Sequence, residues 1–175
     1  MLTLFSKDRS ADAVFAVYTP IVAQSRRPRF YAGWGVADTV TGRFGMVSLH
    51  MSLVLHRLRG ERQAARFSQA LFDLFFRDMD RSLREMGVGD LSLPRRISRM
   101  TEIFYGLLAS VGSALDNGGG AVLTAAISRN LFDAEPNAAD EIAAYCLQQA
   151  AALAGQPVAA IVSGNVRFLP LEGDD

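Results

Sequence analysis

Two histidines and one cysteine are the residues in this sequence with the widest chemical repertoire: His50, His56 and Cys146. His50 and His56 stand six apart in a run with helical periodicity. At about 100° per residue they project roughly 120° away from each other, so one straight helix cannot aim both at a single ion. Cys146 lies between Tyr145 and Leu147 in an alanine-rich stretch with no ligand spacing around it. It reads as a buried core thiol in preference to a nucleophile. No serine or threonine occupies a strand-to-helix nucleophile elbow. Carboxylates pair at Asp78 with Asp80 and at Glu85 with Asp90, but arginines interleave them, which is the pattern of a solvated ion-pair stripe. Gly33-Trp34-Gly35 lacks the preceding strand and the following Lys-Ser/Thr of a phosphate loop, and Gly118-Gly119-Gly120 reads as a linker. No catalytic centre, metal or cofactor is expected from these residues.

Binding chemistry is better represented. Arg26, Arg27 and Arg29 stand beside Phe30, Tyr31 and Trp34, in a segment punctuated by Pro28, Gly33 and Gly35. Arginine and aromatic residues are what recognition surfaces enrich. The same pattern also fits a loop whose aromatics anchor it to a core while its arginines stay in water. A second basic run, Arg95-Arg96-Ile97-Ser98-Arg99, sits where a helix should begin, against the favourable sense of the helix dipole. His50, on an otherwise apolar helix, must either find a buried partner or face a groove, because unpaired burial is costly.

The elements that would position these residues are helices. Val14, Val17, Tyr18, Ile21 and Val22 recur at helical spacing over residues 12–24, with Pro20 bending or dividing the run. Residues 26–41 read as loop. Over residues 42–59, Phe44, Val47, Met51, Val54 and Leu58 form one stripe, widened by Met46, Leu49, Leu53 and Leu55, so this helix should be central. Gly60 suits a C-cap, and a helix over residues 61–86 gathers Phe67, Leu71, Leu74, Phe75, Phe72, Phe76, Met79 and Leu83 opposite Arg66, Asp73, Arg77, Asp80 and Arg84. Ser92, with Pro94 behind it, starts a helix running to about residue 115. A short helix follows over 121–130, then one capped by Asn137 and ending near residue 154. Residues 158–175 read as a helix and then an extended apolar strap through Arg167-Phe168-Leu169-Pro170-Leu171 before an acidic end. No segment alternates with period two. The expectation is an all-α fold: one compact domain of about six helices over residues 12–171, with flexible ends at 1–11 and 172–175.

Composition agrees. The 175 residues are 50% hydrophobic and 21% charged, with 18 basic against 18 acidic side chains, which excludes a disordered chain and a strongly basic nucleic-acid binder. A chain of this length buries about 70% of its unfolded surface, enough for one core. The single cysteine suggests a reducing, cytoplasmic setting. Met1–Asp12 has no apolar signal core, and the uncharged stretch Ile142–Val166 is broken by Gly155 and Pro157, so no membrane span is expected.

One resemblance is specific. Gln24-Ser25-Arg26, Phe30-Tyr31, Gly35-Val36-Ala37-Asp38-Thr39, Gly42-Arg43-Phe44, Leu49-His50 and Leu53-Val54-Leu55 come first. They are followed by Phe76-Arg77-Asp78-Met79-Asp80, Leu83-Arg84-Glu85-Met86-Gly87-Val88-Gly89-Asp90-Leu91, Phe104-Tyr105-Gly106 and Arg129-Asn130. Together these resemble the ubiquinol–cytochrome c chaperone domain over residues 18–130, with Gly45 standing where an acidic residue is expected. The resemblance implies a helical, non-enzymatic factor that binds newly made cytochrome b and promotes assembly of ubiquinol–cytochrome c reductase, with no cofactor of its own. Further partners it implies are the ribosome or the surface of the inner membrane, and no specific DNA. Its implied partner-binding residues are Arg26, Arg29, Tyr31, Trp34, Asp38, Arg43, His50 and Arg57. To these it adds Asp78, Asp80, Arg84, Glu85 and Asp90, as a second partner face or, the preferred reading, a network bracing the turn at Gly87-Val88-Gly89. The competing reading is a helical haem or quinone carrier, or a small enzyme, with a pocket near His50, His56, Tyr105 and Cys146. A peripheral membrane module using the tail and residues 95–99 is a third.

Overall fold

A computed structural model describes residues 2–134 and 138–171. Seven α-helices occur among the described residues: α1 (Leu2–Ser25), α2 (Val40–Leu58), α3 (Ala65–Glu85), α4 (Leu93–Asp116), α5 (Gly120–Leu131), α6 (Ala139–Ala154) and α7 (Val158–Val162). The all-α expectation holds. One turn of π-helix over Arg29–Gly33 and a 3-10 turn over Arg62–Ala64 occupy stretches that the sequence suggests are loop and helix start.

The core forms around α2, which touches α1, α3, α4, α5 and α6. Its apolar residues leave almost no polar face, so it is stable only when wrapped. Met46, Leu49, Met51, Leu53 and Val54 are all sealed. Each such side chain contributes about 1.5–3 kcal/mol by leaving water. Thr39 starts the helix by accepting the Gly42 amide on its hydroxyl (3.2 Å). Gly42 is required for a different reason: a Cβ there would lie 1.8 Å from the Ala37 carbonyl oxygen. Beyond Leu58 the chain reverses through Gly60 at φ +80°, a left-handed conformation that favours glycine.

The helices around α2 follow their stripes. α3 buries Phe67, Leu71, Phe75, Met79 and Leu83, one residue per turn. α4 buries Met100, Phe104, Leu107 and Val111 against α2 and α5. α1 begins well ahead of Asp12 and passes through Pro20 without a break. Proline removes one backbone donor, and the carbonyl deprived of it belongs to Ala16, which is exposed to water. Ser92 holds the cap position of α4 but does not cap it; its hydroxyl donates to the Gly89 carbonyl (3.1 Å). The Asn137 cap and the acidic end at 172–175 lie outside the described residues. Gly45 is buried, and a Cβ there would come 2.8 Å from Leu131 Cδ2, so α5 leaves no room for an acidic side chain.

Candidate functional site

Most of the apolar residues on α2 are spent inside the fold, and one outward apolar surface lies where α1, α2 and α3 meet. Tyr18 and Val22 come from α1, Val40, Phe44 and Val47 from α2, and Phe75, Met79 and Leu83 from α3, with Met86 just beyond its end. Each helix contributes residues three or four apart, which is how it shows one face. Phe44 and Phe75 stack as the floor, centroids 5.4 Å apart at 13°. Val40 and Met86 form an open rim, 42% and 53% exposed. The resulting groove of about 110 Å³ adjoins a recess of about 290 Å³ lined by Pro28, Tyr31, Ala32 and Asp38. Arg26 and Arg43 line both and form the ridge between them.

The charges along this groove are arranged in pairs with one exception. Asp78 accepts the Tyr18 hydroxyl (2.9 Å) and pairs with Arg81 (2.5 Å). Burial, then the neighbouring Asp78 charge, pushes the Tyr18 phenol well up, so it remains a donor. Asp38 bonds Arg43 at 2.6 Å, and that guanidinium holds the Asp38 carboxyl below the ordinary range. Arg26 has no ion pair among the described residues and stands at the junction of groove and recess. The surface therefore offers apolar contact with an available cation at its edge.

The arginine–aromatic segment divides between anchoring and display. Phe30 is fully buried, edge-on to Trp34 (5.5 Å) and Tyr145 (5.2 Å). Tyr31 donates to the Ser25 carbonyl (2.8 Å), and burial raises its phenol to about 12. Arg29 lies over the half-buried Trp34 ring at 5.7 Å, and neither residue lines the groove or the recess. The aromatics hold the π-turn to the core, while Arg26, Arg27 and Arg29 remain exposed.

His50 does not line the groove. Its side chain is 0% exposed, with Nδ1 donating to the Met46 carbonyl (2.8 Å) and Nε2 accepting the Tyr145 hydroxyl (2.7 Å). Desolvation lowers its pKa to about 4, so it is neutral at physiological pH. The Tyr145 oxygen also accepts from Gln24 Nε2 (3.0 Å), whose amide bonds the Leu169 carbonyl (3.1 Å) as well. Leu169 is held again by Gln149, which accepts its amide (2.9 Å) and donates to its carbonyl (3.0 Å). Gln156 repeats this two-point grip on Arg167 (2.9 and 2.7 Å). The extended strap is thus fixed by glutamine amides, with Phe168 edge-on to His50 at 5.6 Å.

The remaining residues fall elsewhere. Arg57 donates to the Leu153 and Gln156 carbonyls (3.1 and 2.9 Å), closing the C-terminus of α6, away from the groove. Arg84 clamps Asp80 (2.9 Å) and Asp90 (2.8 Å), tying α3 to the turn after it, with Glu85 3.9 Å from Arg81. That geometry is the bracing network. The pocket of the competing reading is not assembled. His50 and Cys146 are sealed, Tyr105 on α4 is half-exposed against Phe72 of α3, and His56 lines a separate cleft. Burial pushes the Cys146 thiol far up, away from thiolate chemistry. No cluster of three or more metal-ligating side chains occurs among the described residues, and no described helix is long and apolar enough to cross a membrane.

Sequence reasoning missed Tyr18, Val22, Val40, Val47 and Met86 as groove residues, and Gln24, Tyr145, Gln149 and Gln156 as the tether. The glutamines carried a signal: Gln149 and Gln156, seven apart in the uncharged apolar stretch 142–166, need polar partners. The groove had none, since it arises where three distant helices converge.

Comparison with known proteins bears on all of this. The family described as ubiquinol–cytochrome C chaperone matches residues 32–168. The chain is similar to ubiquinol-cytochrome-c reductase complex assembly factor 1 of Xenopus laevis, 24% identical over 74% of this chain and 64% of that one. It is also similar to the assembly factor 1 of Mus musculus, 23% identical over 95% of this chain and 58% of that one, so it spans about three fifths of these relatives' length. The crystal structure of the Cbp3 homolog from Brucella abortus superposes with a TM-score of 0.87 at 37% identity, covering 99% of both chains. With the family match running through α2 to the strap and the same fold shared end to end, the chain belongs to the ubiquinol–cytochrome c chaperone family.

Proposed function

We propose that this protein is an assembly chaperone for ubiquinol–cytochrome c reductase. It binds newly made cytochrome b through the groove between α1, α2 and α3 and releases it chemically unchanged. The observation that carries this reading is an open apolar groove edged by Arg26, an arginine with no ion pair among the described residues. An incompletely assembled membrane protein exposes apolar helix surface followed by charged flanks. Val22, Val40, Val47 and Met86 suit the first, and Arg26 with the Arg43–Asp38 pair suits the second. The chaperone would work beside the membrane into which its client is inserted, as a peripheral partner.

The test is recovery of cytochrome b with the tagged full-length chain from growing cells. Val47→Glu combined with Arg26→Glu should reduce co-purification at least tenfold while circular dichroism and melting stay near wild type. Arg57→Ala and Arg84→Ala should leave recovery unchanged. Undiminished recovery with the double variant, or no cytochrome b with wild type, would refute the assignment.

A further inference from the structure

The turn between α3 and α4 presents a surface that extends beyond the client groove. Leu91 is 101% exposed there, and Met86, at the start of the turn, is 53% exposed. The backbone between them is braced. The Val88 amide donates to the Leu83 carbonyl (3.1 Å), the Leu93 amide donates to the Gly89 carbonyl (3.1 Å), and Arg84 clamps Asp90 (2.8 Å). Val88 packs inward on the core. Leu91 is thus held out in water by an ordered turn, so burying it against something outside the fold carries no cost of ordering a segment.

Cations flank this leucine. Arg95, Arg96 and Arg99, in the first two turns of α4, are exposed and have no ion pair among the described residues. At about 100° per residue they share one side of the helix, at the end from which Leu91 projects. The first turn of α4 holds no acidic residue, so these charges stand against the helix dipole with nothing beside them to offset it. The acids of the turn are already engaged: Asp80 and Asp90 both bond Arg84, and Glu85 lies 3.9 Å from Arg81. Glu102, one turn beyond Arg99, leaves the set with an excess of positive charge. A projecting leucine beside unpaired arginines is complementary to an anionic lipid surface. The leucine enters the acyl boundary while the guanidinium groups take phosphate oxygens. Nucleic acid would engage the arginines and leave Leu91 in water.

We propose that this turn is a membrane contact: Leu91, with Met86 from the same turn, inserts at the interface of a bilayer containing anionic lipid, and Arg95, Arg96 and Arg99 hold it there. Met86 also rims the client groove, so docking sets that end of the groove against the membrane surface. The consequence for the groove rests on the chaperone reading; the lipid contact does not, and vesicles free of protein test it alone.

The experiment is flotation of the full chain with vesicles of phosphatidylcholine and phosphatidylglycerol in equal parts, against vesicles of phosphatidylcholine alone. Binding to the anionic vesicles should be at least tenfold tighter than to the neutral ones and should weaken as salt is raised. Arg95→Gln combined with Arg99→Gln, both at exposed positions, should lower that binding at least tenfold. Arg62→Gln combined with Arg66→Gln, near the start of α3, removes the same charge and should leave binding near wild type. Leu91→Trp reports insertion: its fluorescence should be quenched by vesicles whose acyl chains carry bromine, while Trp34 in the wild-type chain stays unquenched. No preference for anionic vesicles, as a nucleic-acid or acidic protein partner would give, would overturn the proposal. So would equal loss from the two arginine pairs, or Leu91→Trp fluorescence that stays unquenched on bound vesicles.

Discussion

Acidification should unfold this protein through one imidazole, and the size of the effect follows from the geometry. His50 has a pKa of about 4 in the folded chain because it is fully desolvated, against 6.5 for an exposed histidine. Between those values the unfolded chain binds a proton that the folded one refuses, so stability rises with pH across that window and falls as pH drops through it. Above pH 6.5 neither state is protonated and the group contributes nothing to the pH dependence. At pH 4.5 the same two values give a loss of roughly 2.5 kcal/mol relative to pH 7.5. Protonation also removes the lone pair that accepts the Tyr145 hydroxyl at 2.7 Å, so opening of the strap side should accompany the loss. Urea unfolding at half-unit intervals from pH 7.5 to 4.5 measures the total. Subtracting the same series for His50→Gln isolates the imidazole, since His56, also depressed by burial, is common to both. A wild-type slope no steeper than the variant's, or a His50 resonance titrating near 6.5 in the folded protein, would refute the reasoning.

Four further outcomes are expected. Tyr145→Phe leaves the buried His50 Nε2 without its donor and should cost about 1–3 kcal/mol, lowering the melting temperature by roughly 3–10 °C in a differential scanning experiment. Gly42→Ala drives a methyl into the Ala37 carbonyl and should displace the segment before α2, costing more than about 3 kcal/mol by urea unfolding. Gly112→Ala, whose added methyl meets only ordinary contacts, should be neutral or stabilising. Gln149→Ala should speed hydrogen exchange at the Leu169 amide by at least tenfold while amides in the centre of α2 stay protected.

Much of the fold was legible because α2 and α3 carry their burial in their spacing. Phe67, Leu71, Phe75, Met79 and Leu83 recur once per turn, and that periodicity survives any packing arrangement. The boundaries were less so. The stretch containing Arg29 and Phe30 resembles loop because proline and glycine punctuate it, yet Phe30 finds Trp34, His50 and Tyr145 around it, and that aromatic enclosure holds a π-turn no local propensity favours. The site divided along the same line. Arg26, Arg43, Asp38 and Asp78 were visible as charged residues beside aromatics, but whether a charge faces a groove depends on helices far away in sequence. For the same reason the resemblance could set His50 and Arg57 among partner-binding residues: Tyr145 and the C-terminus of α6, which engage them, lie almost a hundred residues further along.

The glutamine grip on the strap also dictates when the interior can be completed. Gln24 and Leu169 are separated by 145 positions, and the imidazole at the middle of α2 lacks its full enclosure until the strap has docked. During synthesis the first five helices could associate while this corner stayed open to water. Closure then waits for residues 165–171, so the hydrophobic centre is sealed only after every helix of this fold has been made.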